Sequence, residues 1–172
     1  MMMIVESRKS KLAKRWGRAA LAEYATLMDM EFAETPEEGE SFRKLAAFDA
    51  QLLERKAYGL EIASILEIKA RWFNEETLAQ WGNEWMISKS KLEDCSTVAR
   101  LTRVPFYGMV VSVSLRSFWV IQLADIDGQP AVPMRFAETE TQRSTEGGTK
   151  TETLAYIDLK YAAKHKMKTK AQ

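Results

Sequence analysis

Residues 104–124 constrain the fold more than any other part of this sequence. The run VPFYGMVVSVSLRSFWVIQLA is apolar over about the length of a bilayer-spanning helix, on the order of 20 residues, yet Arg116 sits at its centre among Ser112, Ser114, Ser117 and Gln122. A central arginine costs ~2.5–3.5 kcal/mol on insertion scales, which argues against a membrane span. Valine and aromatic residues favour extended chain instead. The segment therefore reads as two strands, residues 107–114 and 117–124, turning through Leu115-Arg116.

The segments around this hairpin complete an α+β expectation: an N-terminal three-helix hairpin or bundle followed by a C-terminal antiparallel β-sheet with a projecting hairpin. The 172 residues are expected to form a single domain, with a helical part over 7–100, an antiparallel β part over 105–161 and a basic tail over 162–172. Ser7 or Ser10 can cap a first helix, in which Leu12, Trp16, Ala20, Tyr24 and Leu27 recur at intervals of three and four. Thr35-Pro36-Glu37-Glu38 has the form of a capping box with proline at the first helical position. Phe42, Leu45, Phe48, Leu52, Ile62, Leu66 and Phe73 then predict a long second helix, irregular near Tyr58-Gly59. Asn74 followed by Glu75 and Glu76 predicts a third, with Leu78, Trp81, Trp85 and Leu92 on one side.

Beyond the first hairpin, Asp127-Gly128 signals a turn into a third strand over 131–137, where Pro133 implies an edge or a bulge. Two polar arms, 138–142 and 149–153, flank Glu146-Gly147-Gly148. Neither arm has an apolar face near the turn, so its tip is expected in solvent and its role in binding a partner.

Charge is nearly balanced, 25 Lys plus Arg against 24 Asp plus Glu, but it is segregated along the chain. Arg8, Lys9, Lys11, Lys14, Arg15 and Arg18 make the first helix basic, and Lys164, Lys166, Lys168 and Lys170 make the tail so. Asp29, Glu31, Glu34, Glu37, Glu38 and Glu40 make the intervening stretch acidic. Pairing between the basic helix and the acidic stretch inside the fold is the expected use of these charges.

Few chemistries find support. The single cysteine, Cys95, excludes an intramolecular disulfide, and Met1 to Val5 is too short an apolar run for a signal peptide, so a reducing, cytoplasmic setting is expected. The only histidine, His165, lies between Lys164 and Lys166 with no orienting carboxylate, and Cys95 follows Glu93-Asp94, which disfavours a thiolate. Both are expected to be dispensable. Asp125-Ile126-Asp127-Gly128 does not continue as a calcium loop, since Phe136 stands where the closing glutamate belongs. The glycines form no phosphate loop.

One resemblance bears on chemistry. Asp125 and Asp127, taken with Asp158-Leu159-Lys160, resemble the acidic and lysine elements of the restriction-endonuclease-like nucleases. The resemblance implies strand-borne carboxylates that hold a metal ion and a lysine that assists phosphodiester hydrolysis.

The first expectation of function is nevertheless a non-enzymatic binding or regulatory protein acting through protein contacts, as an inhibitor, adaptor or assembly factor, with no catalytic, cofactor or metal residue. A nucleic-acid-binding accessory protein ranks second and a metal-dependent nuclease third. The contact residues expected for a protein or nucleic-acid partner are Lys11, Lys14, Arg15, Trp16, Arg18, Arg143, Lys150, Lys164, Lys166 and Lys168. Trp16 is included because an aromatic among cations can meet bases and phosphates. The partner's identity and the oligomeric state are not fixed by the sequence.

Overall fold

Small residues on one side of the first helix set how closely it lies on the sheet. In the computed structural model, which describes residues 8–35, 48–142 and 148–168, helix α1 (Arg8–Leu27) buries Ala13, Trp16, Ala20, Leu21 and Ala25. A Cβ at Gly17 would come within 3.3 Å of Ile68 Cγ2, so glycine permits the close approach. The expected stripe was displaced by one position at its C-terminal end, and Leu27 is exposed.

The strands that follow are β1 (Glu31–Glu34), β2 (Ala50–Lys56) and β3 (Gly59–Arg71). Next come α2 (Glu75–Gln80), β4 (Glu84–Ser88) and α3 (Lys89–Thr102), then β5 (Phe106–Ser112) and β6 (Ser117–Ala124). The chain closes with β7 (Arg135–Gln142), β8 (Thr149–Asp158), a 3-10 turn over Leu159–Tyr161 and β9 (Ala163–Lys166). One sheet has six strands in the order β1-β2-β3-β5-β6-β9, and a second has three in the order β4-β8-β7. Neighbours are antiparallel except β3 and β5, which run parallel. A parallel pair needs a crossover connection, and the α2-β4-α3 segment supplies it.

The six-stranded sheet has apolar cover on both faces. On one, α1 packs over Leu66, Met109, Val111 and Phe118; on the other, α3 and the small sheet bury Ile65, Val110, Ile121, Trp85, Ile87, Cys95 and Ile157. No helix among the described residues is long and apolar enough to cross a membrane.

Among the described residues the expected three-helix bundle is absent, and strand outweighs helix. Residues read as the second helix are β2 and β3, joined at Tyr58-Gly59, where Gly59 has φ 135°. The misreading has a physical cause. Residues 64–67 of β3 are buried in succession and Leu60 and Ile62 are apolar although exposed, so no period of two shows there, and an apolar run does not distinguish strand from helix. Asn74 does cap a helix, accepting a hydrogen bond from Thr77 N at 2.8 Å. That helix has only 6 residues because Gly82 (φ 72°) and Asn83 (φ 56°) turn the chain into β4. The capping-box segment 36–47 lies outside the described residues, as do hairpin residues 143–147.

The C-terminal strands do not make one antiparallel sheet either. β5, β6 and β9 join the large sheet, whereas β7 and β8 pair with β4 in the small one. Pro133 precedes β7 instead of lying in it, and part of the expected basic tail is the edge strand β9. There His165 stacks on Phe118, with ring centroids 5.0 Å apart, so it is not a solvated tail residue.

Candidate active site

Alternation along β3 separates its residues by function. Leu66 and Ala70 face α1, while Ile65, Glu67, Lys69 and Arg71 point to the side occupied by α3 and the small sheet. Glu67 and Lys69 therefore emerge side by side near the middle of the large sheet. Asp49, just before β2, is tied to β3 on both sides of Glu67. Its backbone N donates to Leu66 O at 2.9 Å, and its Oδ2 accepts from Ile68 N at 2.8 Å.

Glu67 is the outlier in this group, with only 7% of its surface exposed. On β5 its partner in register is Gly108, against which the Trp85 ring packs. From the first turn of α3, Lys91 Nζ approaches Glu67 Oε2 to 3.0 Å. Burial pushes the Glu67 carboxyl up to about 7, and the nearby Asp49 charge adds to this, while Lys91 opposes it. Burial likewise lowers Lys69, against the pull of Glu67. Burying a carboxylate costs several kcal/mol unless it is well paired, and a group so perturbed beside a second acid is a functional-site candidate on physical grounds.

The donor set is one that magnesium tolerates. Among the described residues no three His, Cys, Asp or Glu side chains group to hold a metal, so the protein would supply two carboxylates. Magnesium is commonly bound by one or two carboxylates, with waters and substrate phosphates completing its octahedron. Asp49 is exposed and Glu67 buried, so the pair is open to solvent from one side.

A cleft of about 430 Å³ adjoins the site, lined by Lys69 and Arg71 on one wall and by Lys150, Glu152 and Leu154 of β8 on another. Trp81 and Trp85 also border it.

The sequence resemblance located its acids and lysine elsewhere, and the structure gives each of those acids another partner. Asp125 Oδ1 accepts from Asp127 N and Gln129 N, both at 2.9 Å, closing a turn after β6, and Asp127 pairs with Arg103. Asp158 caps the 3-10 turn by accepting from Lys160 N at 2.8 Å, with Lys160 Nζ 3.1 Å from its Oδ2. Asp125 and Asp127 thus lie in the turn after β6 of the large sheet, and Asp158 ends β8 of the small one. Burial pushes the Cys95 thiol up to about 12, which does not suit a nucleophile.

The expected contact residues are dispersed over several elements. Lys11, Lys14 and Arg15 lie on the exposed side of α1, and Arg18 pairs with Glu34 at 2.9 Å. Trp16 is buried against the sheet, with the Arg116 guanidinium 6.0 Å from its ring centre, so its face is not offered to a base. Lys164 lies 5.2 Å from the Trp119 ring centre and 3.5 Å from Glu75 Oε1. Lys166 is exposed on β9, and Lys168 N donates to both oxygens of Glu23. Arg143 lies outside the described residues. Of these ten, Lys150 lines the cleft, 3.1 Å from Glu152.

Asp49, Glu67 and Lys69 are absent from the sequence reading, although Glu67-Ile68-Lys69 is itself an acid-any-lysine triplet. Had 59–71 been read as a strand, the spacing of two would have put both on one face.

No family model matches the chain, and no curated protein matches it in sequence. Among solved structures the chain is similar to a nuclease from a fusselovirus, at 12% identity and a TM-score of 0.47, over 94% of this chain and 89% of that one. The expectation of a non-enzymatic binding or regulatory protein is corrected here. Its premises were the lack of a catalytic constellation, an exposed arm and segregated charge, with the helical face or the projecting hairpin as the contact surface. Asp49, Glu67 and Lys69 form an acid–acid–lysine group that bears on the first, and the sheet architecture removes the helical face.

Proposed function

We propose that the chain is a metal-dependent nuclease whose acidic and lysine elements are Asp49, Glu67 and Lys69. The observation that carries the proposal is Glu67, buried in mid-sheet beside Asp49 with its carboxyl raised to about 7. Such a group is costly for folding alone and useful for binding a cation, because the cation restores its charge.

Asp49 and Glu67 would hold the metal through hard carboxylate oxygens. A bound magnesium supplies a Lewis acid at the phosphoryl oxygen and an activated water at neutral pH. Ile68 N fixes the Asp49 carboxylate through its hydrogen bond, and Lys91 sets the Glu67 carboxylate from α3. Lys69, whose charged form burial disfavours, is placed to help generate or stabilise the attacking hydroxide. Hydrolysis then joins the water oxygen to phosphorus, breaks the bond from phosphorus to the ester oxygen, and leaves a proton on that oxygen.

The test is cleavage of end-labelled DNA and RNA by the purified chain with magnesium and with EDTA. Cleavage should require the metal and fall by at least about 10²-fold in Asp49→Asn, Glu67→Gln and Lys69→Ala, each still folded by circular dichroism. Cleavage that persists in folded Glu67→Gln, or none on any substrate, would overturn the proposal.

A further inference from the structure

The cleft beside Lys69 carries a statement about which nucleic acid the site takes. Two of its acids are already committed: Glu84 Oε2 lies 2.7 Å from Arg135 Nη2, and Glu152 Oε2 lies 3.1 Å from Lys150 Nζ. Lys69 and Arg71, two residues apart on the same face of β3, enter no ion pair among the described residues. The cationic edge of the cleft thus runs from the acid pair along β3. It ends at Phe73 and Trp81, whose ring centroids are 5.7 Å apart, and Trp81 is 45% exposed.

We infer that this cleft receives an unpaired base of a single-stranded polynucleotide, stacked on Trp81, with the phosphates following Arg71 and Lys69 toward Glu67. The inference rests on the nuclease reading for the location of the scissile phosphate. Two observations and one general property of duplexes support it. A volume of about 430 Å³ falls in the range of small-ligand pockets, roughly 300–1,000 Å³, which suits a nucleotide and not a duplex. Bases in a duplex are paired and stacked, so one reaches the Trp81 face only if it is already unpaired or is extruded. An exposed tryptophan beside unpaired cations is the combination that single-strand binders use, with stacking worth about 1–3 kcal/mol per base. DNA and RNA strands share this chemistry.

The experiment measures fluorescence anisotropy of labelled oligonucleotides of about 12 nucleotides, a length within known single-strand site sizes. The arms are a DNA strand, the RNA strand of the same sequence and the blunt DNA duplex, bound in calcium to suppress turnover, followed by cleavage of each in magnesium. At least one single strand should bind about tenfold tighter than the duplex; Trp81→Ala should weaken it by about 5- to 100-fold, and Trp81→Phe, which keeps a ring face, should restore most of it. The tighter of the two strands identifies the sugar. Equal binding of duplex and single strands, or strand binding unchanged in folded Trp81→Ala, would overturn the inference. Duplex cleavage abolished by Glu67→Gln but indifferent to Trp81→Ala would overturn it while the nuclease reading stands. Trp81-dependent strand binding without cleavage would support the ligand and defeat the nuclease reading.

Discussion

Lys91 Nζ, in the first turn of α3, stands 3.0 Å from Glu67 Oε2 on β3, so the helix that completes the crossover also sets the charge of the candidate site. Glu67 holds Lys91 above its ordinary value even though burial works the other way. Removing the amine leaves a buried carboxylate with less compensation. Lys91→Met should therefore raise the Glu67 pKa further and destabilise the fold at pH 8 by on the order of 1–3 kcal/mol, below the full cost of breaking a fully buried pair. Urea unfolding at pH 5 and pH 8 reads this directly. An equal loss at both pH values would mean that lost packing, not lost charge, is responsible.

Glu67 makes its own pH-dependent contribution. Its carboxyl titrates near 7 in the folded chain against an ordinary value of 4.5. Between those values the folded state binds more protons than the unfolded one, so stability falls as pH rises through this window and levels off above it. The cost at pH 8 is on the order of 3 kcal/mol at about 1.4 kcal/mol per pH unit. Glu67→Gln should lose most of this dependence and exceed the parent in stability at pH 8 but not at pH 4. A parent-minus-variant difference that stays constant from pH 5 to pH 8 would contradict the assignment.

Gly108 is the point where β5 admits the indole of Trp85. A Cβ there would lie 2.2 Å from Trp85 Cζ3 and 2.4 Å from Cη2, far inside contact distance. Gly108→Ala should force the ring aside and cost about 1–3 kcal/mol, as overpacking does. Because Trp85 lines the cleft and Gly108 is the register partner of Glu67, cleavage should fall in parallel. Thermal unfolding and cleavage rate, measured together, test the coupling. An unchanged melting temperature would show that the ring is free to move.

The strands of residues 106–112 and 117–124 were legible because an arginine and serines interrupt an otherwise apolar run, leaving a hairpin as the economical solution. Residues 59–71 were not, because residues 64–67 are buried in succession between α1 and α3 while Leu60 and Ile62 are apolar although exposed, so the strand prints no period of two. The candidate site was lost with that strand. Glu67 and Lys69 look like neighbours on a charged helix until alternation puts them on one face, and Asp49 joins them only through the β2–β3 register. Asp158-Leu159-Lys160 carries the same triplet pattern, yet its acid is consumed as a cap. Local spacing is shared by both triplets; burial and a second acid are what distinguish them, and both are tertiary.

Metal binding should be coupled to the Glu67 proton. A cation binds the deprotonated carboxyl, so below about 7 each pH unit should weaken apparent affinity by roughly tenfold, and above it affinity should plateau. Calcium, titrated while melting temperature is followed, isolates this from turnover. A ligand at about 100 times its Kd adds about 2.7 kcal/mol of stability, enough to raise the melting temperature by several degrees. The rise should be larger at pH 8 than at pH 6 for the same calcium concentration, and EDTA should reverse it. Glu67→Gln should abolish both the rise and its pH dependence. Asp49→Asn should abolish the rise while leaving the protein's own stability profile sloped through the window where Glu67 titrates, because Asp49 adds to the Glu67 shift but burial is its larger cause. A calcium-induced rise of equal size at pH 6 and pH 8, or one that survives in Asp49→Asn and Glu67→Gln, would place the cation elsewhere on the molecule.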